Sequence, residues 1–398
     1  MSRLAPPLIG LGLAAIAFFV YVLVGPDQRS TDPYLPLANA WLHGRADLDG
    51  TYYTWIELAL YHGQWFVPFP PTPTVAVLPF VAIFGQTFDT SLTSAIAGAI
   101  GVWLMWGLLL QLGLNRRTAV FLTVTWAFGS EFFWTSVVGG THLFAETLAA
   151  TLVIAVVRLA LARRAPILAG LLLGAAVGAR LPVVFVLPLV VGLYAGLPTR
   201  LGRPSREQVA ETAAVGLGML GPALGIAAYN VLRFGSPLEF GYGLITSRDG
   251  ESVLSEPWYT HGIMSPLYIP RGLYAMLGRQ WEFVEEFPWL HPTWAGQAVT
   301  FTMPILGWLI RAPLREPLAA YALGSAGLIV LVELMHGETG YAQFGYRFIV
   351  DALPLLWLVL ALVFRRGLGR GAIVAGIAGI ALFAYGVTAI YGFSFVGP

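Results

Sequence analysis

The chain contains neither cysteine nor lysine, and only 11% of its 398 residues are charged. Without cysteine, disulfides and thiolate metal sites take no part in this fold. All 22 basic side chains are arginines, and 21 acids bring the formal net charge to +1, so nothing electrostatic argues for a nucleic-acid partner. Soluble domains carry roughly a quarter charged residues. Here apolar residues fill the gap, at 57% of the chain and a mean hydropathy of +0.73. That balance belongs to a polytopic membrane protein.

Apolar runs of membrane length predict spans near 4–24, 91–112, 118–136, 142–162, 166–180, 182–197, 209–231, 297–311, 318–335, 347–364 and 371–391. The first has a single basic residue, Arg3, ahead of it and no small-residue cleavage site, so it reads as an uncleaved helix. The run 75–88 is short for a span and reads as a helix along the outer interface. Fourteen arginines then fall at the inner ends of the spans, which predicts an inner N-terminus and an outer C-terminus. The expected fold is an all-α polytopic membrane protein of about 11 transmembrane helices, one membrane domain over 1–398. Interfacial helices are expected in two large outer loops, 25–90 and 232–296.

Those loops carry many of the acids and tryptophans, and all six histidines lie on or near the same side. Polar chemistry has no use on lipid-facing surfaces, so its one-sided distribution locates the site. The longest inner loop, 198–211, is too short for a catalytic domain, so any enzymatic activity belongs to the membrane domain and its outer loops.

In STDPYLPLANAWLHG (30–44), Asp32 lies just past the first span. It is either a solvated interfacial acid or a general base for an attacking hydroxyl. Asp27, Asp47, Asp49 and Glu57 share its loop and are rivals. Prolines 68, 70, 71, 73 and 79 stiffen the stretch that follows. His142 and Glu146 stand four apart at the start of a helix, as a local pair, as cation ligands or as groups orienting Asp32. Arg180 stands at an outer helix boundary, suited to snorkelling, pairing with an acid or touching a phosphate. Asn230 and Arg233 either anchor the second loop or touch substrate, and Arg271 and Arg279 follow in that loop among aromatics. Arg347 and Asp351, again four apart, form an intrahelical pair or leave Arg347 to clamp a phosphate.

Several of these segments together resemble the GT-C superfamily of multispanning glycosyltransferases, in particular bacterial relatives of protein O-mannosyltransferases and the lipid A aminoarabinose transferase. The segments are the first-loop acid Asp32 in STDPYLPLANAWLHG, the proline-rich FVPFPPTPT, the run NVLRFGSPLEFGY (230–242) and the late GYRFIVDALPLL. Relatives commonly show a clearer acidic pair in the first loop, and some have a lysine before the paired prolines where this chain has Phe69.

The resemblance implies a monosaccharide carried on a polyprenyl phosphate and transferred, usually with inversion, to a lipid, glycan or protein hydroxyl. The reaction would occur at the outer face of a bacterial inner membrane. It implies Asp32 as base and Arg347, Arg271, Arg279 and Arg180 at the phosphate. Asp47, Asp49, Glu57, His142, Glu146, Asn230, Arg233 and Asp351 would orient groups or contact the acceptor. No cofactor is required, and a divalent metal is left open. The competing readings are a transporter or flippase, and a polymerase or ligase, of lipid-linked glycans.

Overall fold

The computed structural model describes residues 5–26, 32–48, 57–197, 204–246 and 251–397. Asp27, Asp49 and the inner-end arginines Arg3, Arg200 and Arg203 lie outside these residues. The chain forms α1 (Ala5–Val24), α2 (Tyr34–Leu42), α3 (Thr72–Phe84), α4 (Ser91–Gln111), α5 (Arg116–Phe128), α6 (Glu131–Val138), α7 (Thr141–Leu161) and α8 (Pro166–Val177). There follow α9 (Leu187–Tyr194), α10 (Arg206–Phe234), α11 (Ile269–Leu277), α12 (Val299–Thr302), α13 (Pro317–Leu334), α14 (Leu353–Val363) and α15 (Arg370–Val387).

Six helices among the described residues are long and apolar enough to cross a bilayer: Pro7–Val24, Ser91–Gln111, Thr141–Leu161, Arg206–Phe234, Pro317–Leu334 and Arg370–Gly392. This is a multi-pass membrane protein.

The expected all-α fold of about eleven spans is incorrect on two counts. Five of the apolar runs are broken by their own residues. Gly129 ends α5 and Ser130 starts α6, which divides the run 118–136. The run 166–180 holds only the twelve residues of α8, which stops at Gly178. Pro182 and Pro188 turn 182–197 into a 3-10 segment, Leu181–Val186, and the eight-residue α9. Pro304 leaves most of 297–311 as a 3-10 segment, Pro304–Arg311. The segment 347–364 becomes a 3-10 turn, Arg347–Asp351, and the eleven-residue α14, with Pro354 in its first turn. Proline lacks an amide hydrogen and restricts the residue before it, so apolar length alone does not make a continuous helix.

The second correction is that the two large loops, 25–90 and 232–296, contain sheet. Strands β1 (Leu58–Tyr61), β2 (Gln64–Phe66) and β3 (Ile245–Thr246) form an antiparallel sheet in the order β2-β1-β3. His62 and Gly63 join β1 to β2 with φ of 50° and 79°, the left-handed pair that a two-residue hairpin turn requires. Because β3 comes from the second large loop, its pairing with β1 joins the two loops edge to edge. A smaller hairpin pairs β4 (Glu282–Phe283) with β5 (Leu290–His291).

The core lies where short and long helices meet. Every residue of α14 from Leu353 to Leu362 is buried, which suits a helix apolar on all sides to the centre of the molecule. Trp126, Trp134 and Trp357 are wholly enclosed, and the Trp357 indole donates to the Leu122 carbonyl at 3.1 Å. Long α10 instead shows Leu217, Leu220, Leu224 and Leu232 on its outer surface, as lipid contact demands.

The contact of α10 with α8 is made of glycines. A Cβ on Gly170 would overlap the Val215 carbonyl oxygen, and one on Gly218 would overlap that of Ile167. Small residues here let the two backbones touch, which is how membrane helices gain packing without a hydrophobic drive. Gly216, on the same helix, faces open space. Gly170→Ala and Gly218→Ala should therefore each cost about 1–3 kcal/mol, read as earlier thermal denaturation in detergent. Gly216→Ala should match or exceed wild type, and equal losses at all three positions would refute this account of the crossing.

Candidate functional site

Breaks in helices, rather than helices themselves, present the site. Gly139 and Gly140, at φ of 64° and 73°, turn the chain sharply into α7. That turn sets His142 and Glu146 one helical turn apart at its head. Arg180 has an extended backbone between Gly178 and Pro182, where α8 ends and the following 3-10 segment begins. Glu333 ends α13, and Arg347 opens the 3-10 turn ahead of α14.

These pieces converge on a charge cluster. Arg180 Nη2 meets Glu333 Oε1 at 2.8 Å, its Nε meets Asp351 Oδ2 at 2.9 Å, and Glu146 Oε1 lies 3.9 Å from Nη2. Arg347 Nη1 meets Glu146 Oε1 at 3.0 Å. All three acids and Arg347 are buried. The Arg347 guanidinium lies over the Phe348 ring at 4.8 Å, and its Nε has no hydrogen-bond partner among the described residues. An orphaned donor of this kind is costly until a ligand or water supplies an acceptor.

The cluster borders a cavity of about 1060 Å³. Arg180, Arg271 and Arg347 line it, with Glu57, His142, Glu333, His336 and Glu338. Leu181, Phe185, Met264, Val332 and Phe348 supply apolar wall. His142 Nε2 and Glu57 Oε2 are 3.1 Å apart, and the His142 ring packs edge-on against Phe69 at 4.6 Å. Burial in the wall raises the Glu57 carboxyl. The contact with His142 outweighs that and holds it below its ordinary value. Although Glu57 and His142 are 48% and 29% exposed, both line the cavity, so a small molecule can reach them there. Burial pushes the neighbouring His336 down to about 4, leaving it neutral at physiological pH.

Of the other first-loop acids singled out by sequence, Asp32 and Asp47 do not line this cavity. Asp32 is fully buried and accepts the Tyr34 backbone N–H at 2.9 Å. It does not line the cavity, although the ring of Tyr34 packs on Phe69, which does. Asp47 is half-buried beyond α2, away from the cavity wall. Asp49 lies outside the described residues.

Asn230 donates to the Pro237 carbonyl at 3.1 Å and accepts from Arg233 at 2.6 Å. Arg233 in turn reaches the Val67 carbonyl, so this pair ties α10 to the first loop. Arg279 bonds the Ala295 carbonyl at 2.6 Å and Thr339 at 3.0 Å, holding loop to loop. Arg271 donates to the carbonyls of Trp258 and Gly337. The paired readings of His142 with Glu146 and of Arg347 with Asp351 are replaced by partners from elsewhere in the chain.

Sequence reasoning missed Glu333 and Glu131, acids set inside apolar runs, a pattern that itself signals a functional or paired charge. Glu131 is buried at the head of α6, with its carboxylate against Gly345. Among the described residues no group of three or more His, Asp or Glu side chains is gathered to hold a metal ion. Comparison of the chain with protein-family models, curated proteins and solved structures found no match.

Two outcomes follow. Removing a partner from a buried ionic cluster costs about 3–5 kcal/mol, because the remaining charges stay buried and unpaired. Arg180→Ala should therefore lower thermal stability far more than Arg163→Ala, whose partner Glu211 is met at 2.6 Å near the surface. Similar losses would show the cluster to be energetically ordinary.

The second concerns Asp32, which burial pushes up to about 6 from an ordinary 3.8. Between those values the folded protein holds a proton that the unfolded chain has released. Stability therefore falls as pH rises through that window. The advantage of Asp32→Asn over wild type should grow from pH 4 to pH 7 by on the order of 2–3 kcal/mol. A difference independent of pH in paired melting curves would contradict the burial cost.

Proposed function

We propose that this protein is a GT-C-type glycosyltransferase of the bacterial cytoplasmic membrane, with its N-terminus inside and its site on the outer face. It moves a monosaccharide from a polyprenyl phosphate to a hydroxyl on a lipid, glycan or protein, with inversion. The observation that carries this reading is the pair of guanidiniums, Arg180 and Arg347, bordering a large cavity that also has apolar wall.

Such a cavity suits a molecule with a charged head and a greasy tail, and its volume lies at the upper end of small-molecule sites. When the sugar departs, the phosphate gains a negative charge. A guanidinium already in place stabilises that charge without reorganising. Arg347 is the better candidate for this contact, since Arg180 already bonds two carboxylates and has a third nearby. The reading of orientation rests on α7, which begins beside the cavity at His142 and runs to Arg163 and Arg164 beyond its far end.

The test incubates purified protein in lipid with a panel of polyprenyl-phosphate monosaccharides and acceptors, and measures released polyprenyl phosphate. Wild type should release it. Arg347→Ala should lower turnover by roughly 10²–10³-fold, and Arg347→Lys should recover only part, lacking the forked geometry. Donor that crosses sealed vesicles without losing its sugar would replace this reading with transport of a lipid-linked glycan.

A further inference from the structure

We infer that His142, oriented by Glu57, is the general base that takes the proton of the acceptor hydroxyl. This rests on the transferase reading above and specifies which group in the cavity performs the proton transfer.

Hydrogen-bond chemistry fixes the tautomer. An ionised carboxylate only accepts, so the 3.1 Å contact of His142 Nε2 with Glu57 Oε2 puts the imidazole hydrogen on Nε2. Nδ1 then carries the lone pair, and no described hydrogen bond occupies it. The ring is also held in position. Phe69 packs against it edge-on at 75°, and the bond to Glu57 fixes its other side. A neutral imidazole in a defined tautomer, held by a carboxylate and open to a cavity, has the makings of a base. Asp32, by contrast, does not border the cavity.

Spacing supplies an independent argument. An inverting displacement needs its base and its leaving-group clamp on opposite sides of one sugar ring. His142 and Glu146 are one turn apart on α7, about 6 Å along the axis, and Glu146 holds Arg347 Nη1 at 3.0 Å. The same helix therefore carries the imidazole at its head and, one turn on, the carboxylate that holds the phosphate clamp, and both the imidazole and the guanidinium line the one cavity. The charged and titratable groups in electrostatic reach are Glu57 from the first loop, Glu146 on α7, His336 and Glu338 beyond α13, and Arg347 ahead of α14. The acids favour the imidazolium formed during reaction, and Arg347 opposes it.

In the step itself, the acceptor oxygen bonds to the anomeric carbon while its proton passes to His142 Nδ1. The carbon–oxygen bond to the phosphate breaks, and its electron pair leaves with the lipid phosphate beside Arg347. Water afterwards removes the proton from the imidazolium.

The test measures release of polyprenyl phosphate against pH for wild type, His142→Ala, His142→Gln and Glu57→Gln, with donor KM measured separately. Both His142 variants should lose about 10²–10⁴-fold in kcat, keep the donor KM and lose the acid limb of the profile. Added imidazole should restore part of the turnover of His142→Ala. Glu57→Gln should move that limb to lower pH, because the imidazolium loses a neighbouring negative charge. A structural role for the pair would not move the limb.

Nitrogen NMR of labelled histidine in the wild-type protein gives a readout independent of turnover and of any variant's folding. The Nε2–H tautomer is expected, and an Nδ1–H tautomer overturns the proposal. It also falls if His142→Ala keeps wild-type turnover with the acid limb intact while Asp32→Asn is silent. In that case the transferase reading survives. If wild type releases no lipid phosphate from any donor, the transferase reading fails and the base role falls with it.

Discussion

Charges buried in an apolar protein must neutralise one another, and the rest of this structure is arranged around that requirement. Arg180 and Arg347 are held by Glu146, Glu333 and Asp351, which come from α7, the end of α13 and the turn before α14. Sliding any of these elements by one turn would strand an ion in surroundings that cannot solvate it. The cluster thus sets the register of several helices whose apolar surfaces could otherwise pack in several ways. Among the described residues it also leaves Arg347 Nε without an acceptor, so the groups that order the fold border the cavity.

The two large loops complete this arrangement. The pairing of β1 with β3 and the reach of Arg233 to the Val67 carbonyl, 166 positions away, join residues far apart in sequence. Glu57 immediately precedes β1, so its meeting with His142 depends on that pairing. The first loop thereby gains a carboxylate facing the cavity, while Asp32 accepts from the Tyr34 backbone N–H at the start of α2 and does not line the cavity. Which first-loop acid faces the cavity is thus a matter of strand pairing, a property that distance along the chain does not reveal.

Much of this was legible beforehand, for definable reasons. The six long helices followed from apolar length, because a bilayer imposes length directly. The five broken runs were misread because hydropathy counts proline and glycine without weighing what they do to the backbone. The sequence marks Arg180, Arg347, His142 and Glu57 as candidates, and Glu146 and Asp351 with them, but it does not show which pairs with which and does not mark Glu333. A spacing of four implies contact only on an α-helix. Residues 347–351 form a 3-10 turn, in which positions four apart point about a third of a revolution away from each other. Arg347 and Asp351 are therefore free to take separate partners. Glu333 was visible in LIVLVELM as a lone acid, but its purpose depended on Arg180, far away in sequence.

The short helices bear on how the chain is made. At 1.5 Å per residue, α8 and α14 extend only about 16–18 Å, roughly half the thickness of the hydrocarbon layer. A segment of that length released singly from the insertion machinery would carry unpaired carbonyls and amides into oil. Such pieces need packed neighbours to sit in the bilayer, and α10, whose glycines receive α8, is one such neighbour.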